Sequence, residues 1–269
     1  MATTQAIEQK ELLHYQVENG IAILEMDDPP ANTYTYEMFR QLDDAILRAR
    51  MDGEVHVVVL RGAGQKFFSA GADINMLQKA EPTFKYYFCL HANETLLRLE
   101  KTPKLVIAAL NGTTVGGGLE IAMACDIRIA RRDGGKIGLP EVALGVLPGT
   151  GGTQRLARLV GKARAIELIA TGRTFSFDEA LEIGLVTKIV DDADFMKAAL
   201  EYARQFLPPN KAAKAVGHIK RSIQSGVEMD LADGLALEQE LQIQLFRSED
   251  AREGLDSWVD KRIPRFKGK

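Results

Sequence analysis

Residues 104–130 of the chain read KLVIAALNGTTVGGGLEIAMACDIRIA. The apolar run from Lys104 to Leu110 predicts a strand covered on both faces, because such strands show no polar alternation. A glycine-rich turn follows, and the stretch from Leu119 to Cys125 is typical of a helix. A further strand is predicted from Asp126 to Ala130. Strand, glycine-rich turn, helix and strand in this order predict an α/β fold.

Strands are also predicted on both sides of this segment. His14 to Met26 reads as a hairpin around Asn19-Gly20, because this dipeptide tolerates the positive φ angles of a tight turn. Val55 to Leu60 and Thr187 to Val190 read as buried strands. Between the hairpin and the strand from Val55 to Leu60, a helical period beginning near Thr35 predicts an amphipathic helix.

The C-terminal part of the chain has a different pattern. Beyond Asp191 only helical periods remain, at about residues 193–207, 210–225, 229–246 and 251–259. We therefore expect an α/β core over residues 1–192, with the binding and catalytic loops, followed by a helical region over residues 193–269. We do not expect these helices alone to form a closed core, so we expect them to pack on the α/β core and on neighbouring subunits.

The composition is that of an ordinary globular protein, with 46% hydrophobic and 26% charged residues in 269. A net charge of −3 argues against a surface built for nucleic acid or anionic lipid. Two cysteines cannot form a disulfide framework, and the four histidines lack metal-ligand spacing. The N-terminal MATTQAIEQKELLHY resembles no targeting signal and no apolar run has membrane length, so we expect a cytoplasmic protein.

Glycine-rich turns recur after predicted strands and suit the close approach of a ligand. The first, FFSAGADI at residues 67–74, leaves main-chain N–H groups accessible between small side chains. The second, NGTTVGGG at residues 111–118, opens a helix that carries Glu120 in its first turn. Free amides at a helix start suit a developing oxyanion. The third connects Glu141, directly after Pro140, to the glycine-rich residues 145–152.

Each of these features also has a purely structural reading. Small residues also occur in turns that bind no ligand. A carboxylate in the first helical turn, such as Glu120, stabilises a helix by interacting favourably with its dipole. A glutamate that follows a proline, such as Glu141, is commonly a surface residue. The order and combination of the turns, rather than any one of them, carry the functional interpretation.

This combination resembles the enoyl-CoA hydratase/isomerase, or crotonase, superfamily. The similarity is carried by FFSAGADI, ALNGTTVGGGLEIAMACDIRIA, IGLPEVALGVLPGTGGTQRLARLVGKARAIELIATGR and DEALEIGLVTKIV. It extends from about Asn19 to the C-terminus and is dense between Phe67 and Val190. The resemblance implies a crotonase-type spiral of repeated strand-strand-helix turns with a C-terminal helical trimerisation region.

The resemblance also implies roles for individual residues. The backbone N–H groups of Ala72 and Gly117 match the oxyanion hole that binds the thioester oxygen. Glu120 and Glu141 match the catalytic glutamates of the hydratases, and Gly149 matches the glycine that positions the water. We expect Glu120 to deprotonate the water and Glu141 to protonate the α-carbon. Relatives that catalyse other reactions commonly lose one or both glutamates, so the presence of both favours hydration.

Further substrate contacts are implied around the first glycine-rich turn. The expected CoA and substrate contacts are Ala31, Ala70, Gly71, Ala72, Asp73, Ile74, Gly116 and Gly117. The expected acyl pocket contains Met76, Leu77 and Leu144, with Phe84, Tyr87 and Phe88 as further candidates, although an apolar helical stripe is more often core. Asn75 departs from the lysine common in relatives. Tyr34 and Tyr36 replace the usual small aliphatic residues, and either a surface position or a place beside the ligand is open for them.

We therefore expect an enoyl-CoA hydratase, a hydro-lyase that adds water syn across 2-enoyl-CoA to give 3-hydroxyacyl-CoA, as in fatty acid β-oxidation. An enoyl-CoA isomerase or another crotonase-type lyase is the nearest alternative, and a non-catalytic or RNA-binding member is a further one. Self-association as a trimer or a dimer of trimers is expected. Coenzyme A enters as part of the substrate, and no other cofactor, metal, nucleic acid or membrane is expected. The acyl group stays open, as does which glutamate carries the proton.

Overall fold

A computed structural model describes residues 10–191 and 194–269. Residues 1–9 of the segment read for targeting signals, and the boundary predicted between residues 192 and 193, lie outside the described residues. The strands are β1 Leu13–Glu18, β2 Ile21–Met26, β3 Val57–Gly62, β4 Phe67–Ser69, β5 Leu105–Leu110, β6 Thr113–Val115, β7 Ile127–Arg131, β8 Ile137–Gly138 and β9 Lys188–Val190. The helices are α1 Tyr36–Met51, α2 Ile74–Lys79, α3 Pro82–Glu100, α4 Gly117–Met123, α5 Gly152–Val160, α6 Lys162–Thr171, α7 Phe177–Glu182, α8 Phe195–Arg204, α9 Ala213–Gly226, α10 Leu231–Phe246 and α11 Glu249–Val259.

The predicted N-terminal hairpin is confirmed. β1 and β2 pair antiparallel, and the turn between them places Asn19 at φ 48° and Gly20 at φ 84°. Two consecutive positive φ angles match the right-handed twist of the flanking strands, which is why this dipeptide favours the turn. The helix predicted from Thr35 is also confirmed, because the Thr35 hydroxyl accepts the Met38 N–H at 3.3 Å and begins α1.

The described strands form two sheets. The larger has six strands in the order β1-β2-β3-β5-β7-β9, parallel from β2 onward. The smaller has three short parallel strands in the order β4-β6-β8. Every predicted strand belongs to the larger sheet, whereas the strands of the smaller sheet are too short to show a period of their own.

Successive chain segments alternate between the two sheets. β3 of the larger sheet leads to β4 of the smaller one and then to α2 and α3; β5 leads to β6 and α4; β7 leads to β8 and α5. Each turn is therefore strand, strand and helix, which confirms the predicted spiral. Because the strands of the smaller sheet are parallel neighbours, each turn of the spiral leaves this sheet at the same edge.

Two apolar clusters hold these layers together. One joins the helices to one face of the larger sheet and to the smaller sheet, and includes Phe39, Phe68 and Phe88. The other covers the opposite face of the larger sheet with α8 and the residues just after it, through side chains that include Phe195 and Leu207. The first helix of the C-terminal region is thereby docked on the α/β core.

The remaining C-terminal helices are attached more locally. Lys220 of α9 is buried and forms an ion pair with Asp126 at 2.8 Å, which ties α9 to the start of β5 and the start of β7. Beyond it, large apolar side chains are exposed, among them Trp258 at 86%. Packing of these side chains on neighbouring subunits stays a prediction. None of the helices in the described ranges has the length and apolarity to cross a bilayer.

Candidate active site

The three glycine-rich turns converge because of the smaller sheet. β4 ends at Ser69, β6 at Val115 and β8 at Gly138, and each strand is followed by one of the turns. The carboxyl ends of neighbouring parallel strands lie at one edge of a sheet, so turns that are far apart in sequence meet there. A cavity of about 630 Å³ opens at this edge.

The first turn is held in place by Tyr34. Tyr34 donates its N–H to the Gly71 carbonyl at 2.9 Å, and Asp73 donates its N–H to the Tyr34 carbonyl at 3.0 Å. This parallel bridge pairs Tyr34 with Ala72, so that the N–H of Ala72 itself points away from the Tyr34 strand. Gly71 has φ 90°, which favours glycine.

The second turn brings another amide beside the first. Gly116 has φ 57°, and the chain then enters α4 at Gly117. A Cβ built on Gly71 would lie 3.0 Å from the Gly117 nitrogen, so the two turns are in contact. Within residues 10–191 and 194–269, no hydrogen bond is formed by the N–H of Ala72 or Gly117. Two amides close together are thus available to a ligand oxygen.

Glu120 lies one helical turn after Gly117 and is 1% exposed. Its Oε1 accepts the N–H of Thr150 at 2.8 Å and that of Gly152 at 2.6 Å, and its Oε2 accepts the Thr150 hydroxyl. Burial raises the pKa of Glu120 above its ordinary value, and these hydrogen bonds oppose the shift. The carboxylate is therefore held in one position by three donors.

Glu141 begins a 3₁₀ turn at Glu141–Leu144 and has different surroundings. Its Oε2 is buried and has no hydrogen-bond partner among the described residues. Burial raises the pKa of Glu141 to about 7, and the negative charge of Glu120 contributes to the rise. The backbone N–H of Glu141 and the positive charge of Lys85 act in the opposite direction and lower this pKa. The two carboxylates are thus near each other but unlike in their hydrogen bonding.

Most of the residues predicted for the site meet at this cavity. The predicted residues that line it are Glu120, Glu141, Ala72, Gly117, Gly149, Ala70, Gly71, Ile74, Gly116, Leu77 and Leu144. The carbonyl of Gly149 accepts the Asn93 side-chain N–H at 3.3 Å. The structure thus brings the catalytic, oxyanion and water-positioning candidates to one place, while their roles stay predictions.

Three predicted contacts do not line the cavity. The Ala31 carbonyl accepts the Ala70 N–H at 3.0 Å and supports the first turn from behind. Asp73 caps α2 by accepting the Met76 N–H at 2.9 Å. Met76 itself packs against the apolar cluster that includes Phe39 and Phe88. Ala31 thus supports the first turn itself, whereas Asp73 and Met76 hold the helix α2 that follows it.

The further acyl-pocket candidates also lie elsewhere. Phe84 and Tyr87 are exposed and Phe88 belongs to the core, so the stripe on α3 is partly structural. Instead, the apolar side of the cavity is completed by Ala143, Val146 and Leu147. These residues stand in the predicted third turn, but nothing in their pattern distinguished them from surface residues.

Tyr34 was left open by its sequence and is part of the site. It is only 3% exposed and lines the cavity, whereas Tyr36 is 42% exposed. A Cβ built on Gly117 would overlap the Tyr34 hydroxyl, so this hydroxyl lies directly beside Gly117. The signal in the sequence was the replacement of a small aliphatic residue by a tyrosine. Lys85 also lines the cavity, although nothing in the sequence around it indicated a place in the site.

Comparison with known proteins supports the family resemblance found in the sequence. The profile of the enoyl-CoA hydratase/isomerase family matches residues 16–269. The short-chain-enoyl-CoA hydratase of Clostridium acetobutylicum is 40% identical over 254 residues, covering 94% of this chain and 96% of that protein. The chain belongs to the enoyl-CoA hydratase/isomerase family. The prediction of an enzyme of the enoyl-CoA hydratase type is thereby confirmed.

Other members of the enoyl-CoA hydratase/isomerase family extend the comparison. The crystal structure of the enoyl-CoA hydratase from Geobacillus kaustophilus HTA426 has 48% sequence identity and a TM-score of 0.94, covering 97% of this chain and 98% of that one. The mitochondrial methylglutaconyl-CoA hydratase of Homo sapiens is 36% identical, covering 95% of this chain and 76% of that protein. The crotonase fold is confirmed, and the relatives include proteins named for different acyl groups.

Proposed function

We propose that this family member hydrates 2-enoyl-CoA thioesters to 3-hydroxyacyl-CoA. The observation that carries the proposal is a pair of carboxylates with unlike surroundings, Glu120 and Glu141, on one cavity that also holds two free amides. Hydration needs a base for the water and an acid for the α-carbon. The amides alone would serve any reaction that passes through a thioester enolate, so the glutamate pair is what favours hydration.

The amides of Ala72 and Gly117 form the oxyanion hole in this proposal. When water attacks the β-carbon, electrons of the double bond move toward the carbonyl and place negative charge on the thioester oxygen. Donors that are already oriented stabilise this charge without reorganisation. Removal of one such donor in comparable enzymes costs about 3–4 kcal/mol of activation free energy. The contact between the two turns supports this role because it sets the separation of the amides.

Glu120 acts as the base. An ionised carboxylate offers about four lone-pair sites, and three are used by the donors of Thr150 and Gly152. One site on Oε2 is left for a water molecule. The oxygen of this water bonds to the β-carbon while its proton passes to Glu120. The Gly149 N–H positions the same water, and Asn93 holds the Gly149 carbonyl on the other side of the peptide.

Glu141 acts as the acid. Its pKa of about 7 keeps a substantial protonated fraction near neutral pH, so it can deliver a proton to the α-carbon. After the step Glu120 carries a proton and Glu141 is ionised, and a second water returns the proton from one to the other. We propose syn addition, in which both groups arrive on the face of the double bond that the two carboxylates share.

The cavity wall near the two carboxylates is apolar, so we expect the substrate's acyl group to be apolar close to the reacting carbons. Leu77, Leu144, Val146 and Leu147 line the cavity that holds Glu120 and Glu141. Relatives named for short-chain-enoyl-CoA and for methylglutaconyl-CoA are compatible with a small linear or branched chain. The proposal includes assembly as a trimer or a dimer of trimers, through the exposed apolar side chains of the C-terminal helices. It also includes a cytoplasmic role in β-oxidation.

Isomerisation of 3-enoyl-CoA is the second candidate, because Glu141 alone, with a pKa of about 7, suffices to move one proton between two carbons. The purified protein is therefore given 2-enoyl-CoA and 3-enoyl-CoA of the same length, and the products are measured by mass. We expect 2-enoyl-CoA to gain one water rapidly. Rapid conversion of the 3-enoyl thioester without gain of water, and no hydration of the 2-enoyl thioester, would instead support an isomerase.

A further inference from the structure

The position of the Glu120 carboxylate depends on a short turn, residues 149–152. The N–H groups of Thr150 and Gly152 donate to Glu120 Oε1 at 2.8 and 2.6 Å. These two N–H groups belong to the first and the third of three successive peptide units. The second unit, between Thr150 and Gly151, shares a Cα atom with each of the others, and each unit is itself planar. A residue that holds the second unit therefore restricts the directions of both N–H groups.

Arg155 holds this second unit. Its Nη1 donates to the Thr150 carbonyl at 3.0 Å. A Cβ built on Gly151 would overlap the same nitrogen, so the guanidinium occupies the space that a side chain at position 151 would need. Gly151 has φ 104°, which also favours glycine. The guanidinium thus packs directly on the turn and is hydrogen-bonded to it.

Glu100, at the end of α3, locks the guanidinium in this orientation. Its two carboxylate oxygens accept Arg155 Nε at 2.7 Å and Arg155 Nη2 at 2.8 Å, and each of the two side chains is 12% exposed. Two parallel hydrogen bonds fix the plane of the guanidinium, which a single contact would leave free to rotate. Removal of two charges from water is costly, so a buried ion pair contributes little net stability. What the pair supplies is a fixed direction for Nη1, toward the Thr150 carbonyl.

We propose that Arg155 is a positioning residue: locked by Glu100, it orients the Thr150–Gly151 peptide unit and so keeps the two N–H groups of the turn on Glu120. The inference rests on the proposed function, in which Glu120 is the base. Arg155 is not among the described residues that line the cavity, so it acts on the carboxylate and not on the substrate. Without Arg155 the turn gains freedom, and Glu120 no longer has one position relative to the β-carbon.

The choice of variants has to avoid an unpaired buried charge. Arg155→Gln alone would leave Glu100 buried without its partner, which is strongly destabilising. Arg155→Lys keeps a cation beside Glu100 but lacks the planar fork that holds Glu100 and Thr150 in one fixed geometry. Glu100→Gln/Arg155→Gln removes both charges together. These two variants share only the loss of the arginine fork.

Steady-state hydration of crotonyl-CoA at neutral pH separates positioning from a merely structural role. We expect kcat of both variants to fall by about tenfold, as for the loss of one hydrogen bond, with KM nearly unchanged. Arg158→Lys, the same change at an exposed arginine of α5, is the matched control and should leave both constants unchanged. Wild-type kcat in the two variants, or a change confined to KM, would overturn the inference.

A readout without turnover keeps this inference distinguishable from the proposed function. Hydrogen exchange of the free protein is followed by mass spectrometry of peptides that span residues 149–152 and of peptides from β5. We expect the turn to exchange faster in both variants than in the wild type, and β5 to be much less affected. Unchanged exchange in the turn, or an equal acceleration in β5 from a general loss of stability, would refute the role of Arg155. This result holds even if the wild type does not hydrate crotonyl-CoA and the proposed function fails on its own.

Discussion

Gly152 donates its N–H to Glu120 Oε1 at 2.6 Å, and a Cβ built on Gly152 would lie only 2.9 Å from the same oxygen. The helix start at Gly152 therefore touches the Glu120 carboxylate directly, and no room is left for a side chain. Because Thr150 and Gly152 both donate to Glu120, the third glycine-rich turn sets the position of a carboxylate that belongs to the second turn.

Gly152→Ala should displace Glu120 by several tenths of an ångström. We expect kcat to fall by about 10-fold or more, since misplacement of a catalytic group by about 1 Å has an effect of about 100-fold and this shift is smaller. Gly53→Ala is the control, because a Cβ at Gly53 would meet nothing within 4 Å. Steady-state hydration kinetics check both variants, and equal activity of Gly152→Ala and wild type would show that Glu120 tolerates this movement.

Lys85 lowers the pKa of Glu141, although burial is the larger influence and raises it. If Glu141 is the acid, activity is lost as the pH rises through its pKa and Glu141 ionises. Lys85→Met removes the cation that favours ionisation, so the basic limb of the kcat profile should move to higher pH. Lys101→Met, at an exposed lysine at the end of α3, is the control. A basic limb that stays in place would exclude Glu141 as the titrating acid.

Glu141 should also make the stability depend on pH. Its pKa is raised from 4.5 to about 7 in the folded state, so the native protein binds the proton more tightly than the unfolded chain. This contribution to stability is fully present below about pH 4.5 and is lost as the pH rises through about 7. The Tm of Glu141→Gln relative to wild type should therefore be higher at pH 8 than at pH 4.5.

Calorimetry of the two proteins at both pH values measures this difference. Glu182→Gln, at an exposed glutamate on α7, is the matched control and should show no comparable dependence. A Tm difference between Glu141→Gln and wild type that is the same at both pH values would contradict the raised pKa of Glu141.

Much of the fold follows from sequence patterns that extend over several residues. The aliphatic run before Asn111 and the helical period after Thr35 persist long enough to be recognised, and both elements occur where predicted. The strands of the smaller sheet have only two or three residues, so no periodicity can reveal them. Their parallel pairing, which brings the turns together, depends on contacts distant in sequence.

The site shows the same division. Glu120 and Glu141 could be selected from the sequence because the motifs around them resemble those of a family. The position of Tyr34 could not, because it depends on the bridge between Tyr34 and Ala72 and on the space beside Gly117. The difference in protonation between the two glutamates likewise depends on burial and on donors from Thr150 and Gly152, which only the folded chain provides.

The central claim is that Glu120 and Glu141 are both required for the addition of water. It is tested most directly by the rate of crotonyl-CoA hydration in Glu120→Gln and Glu141→Gln, with the binding of butyryl-CoA, which lacks the double bond, measured beside it. Each variant should lose about 10²- to 10⁴-fold in kcat, the usual contribution of an acid or base. Butyryl-CoA binding should stay close to that of wild type and of the Glu182→Gln control. Hydration by either variant at the wild-type rate would contradict the account.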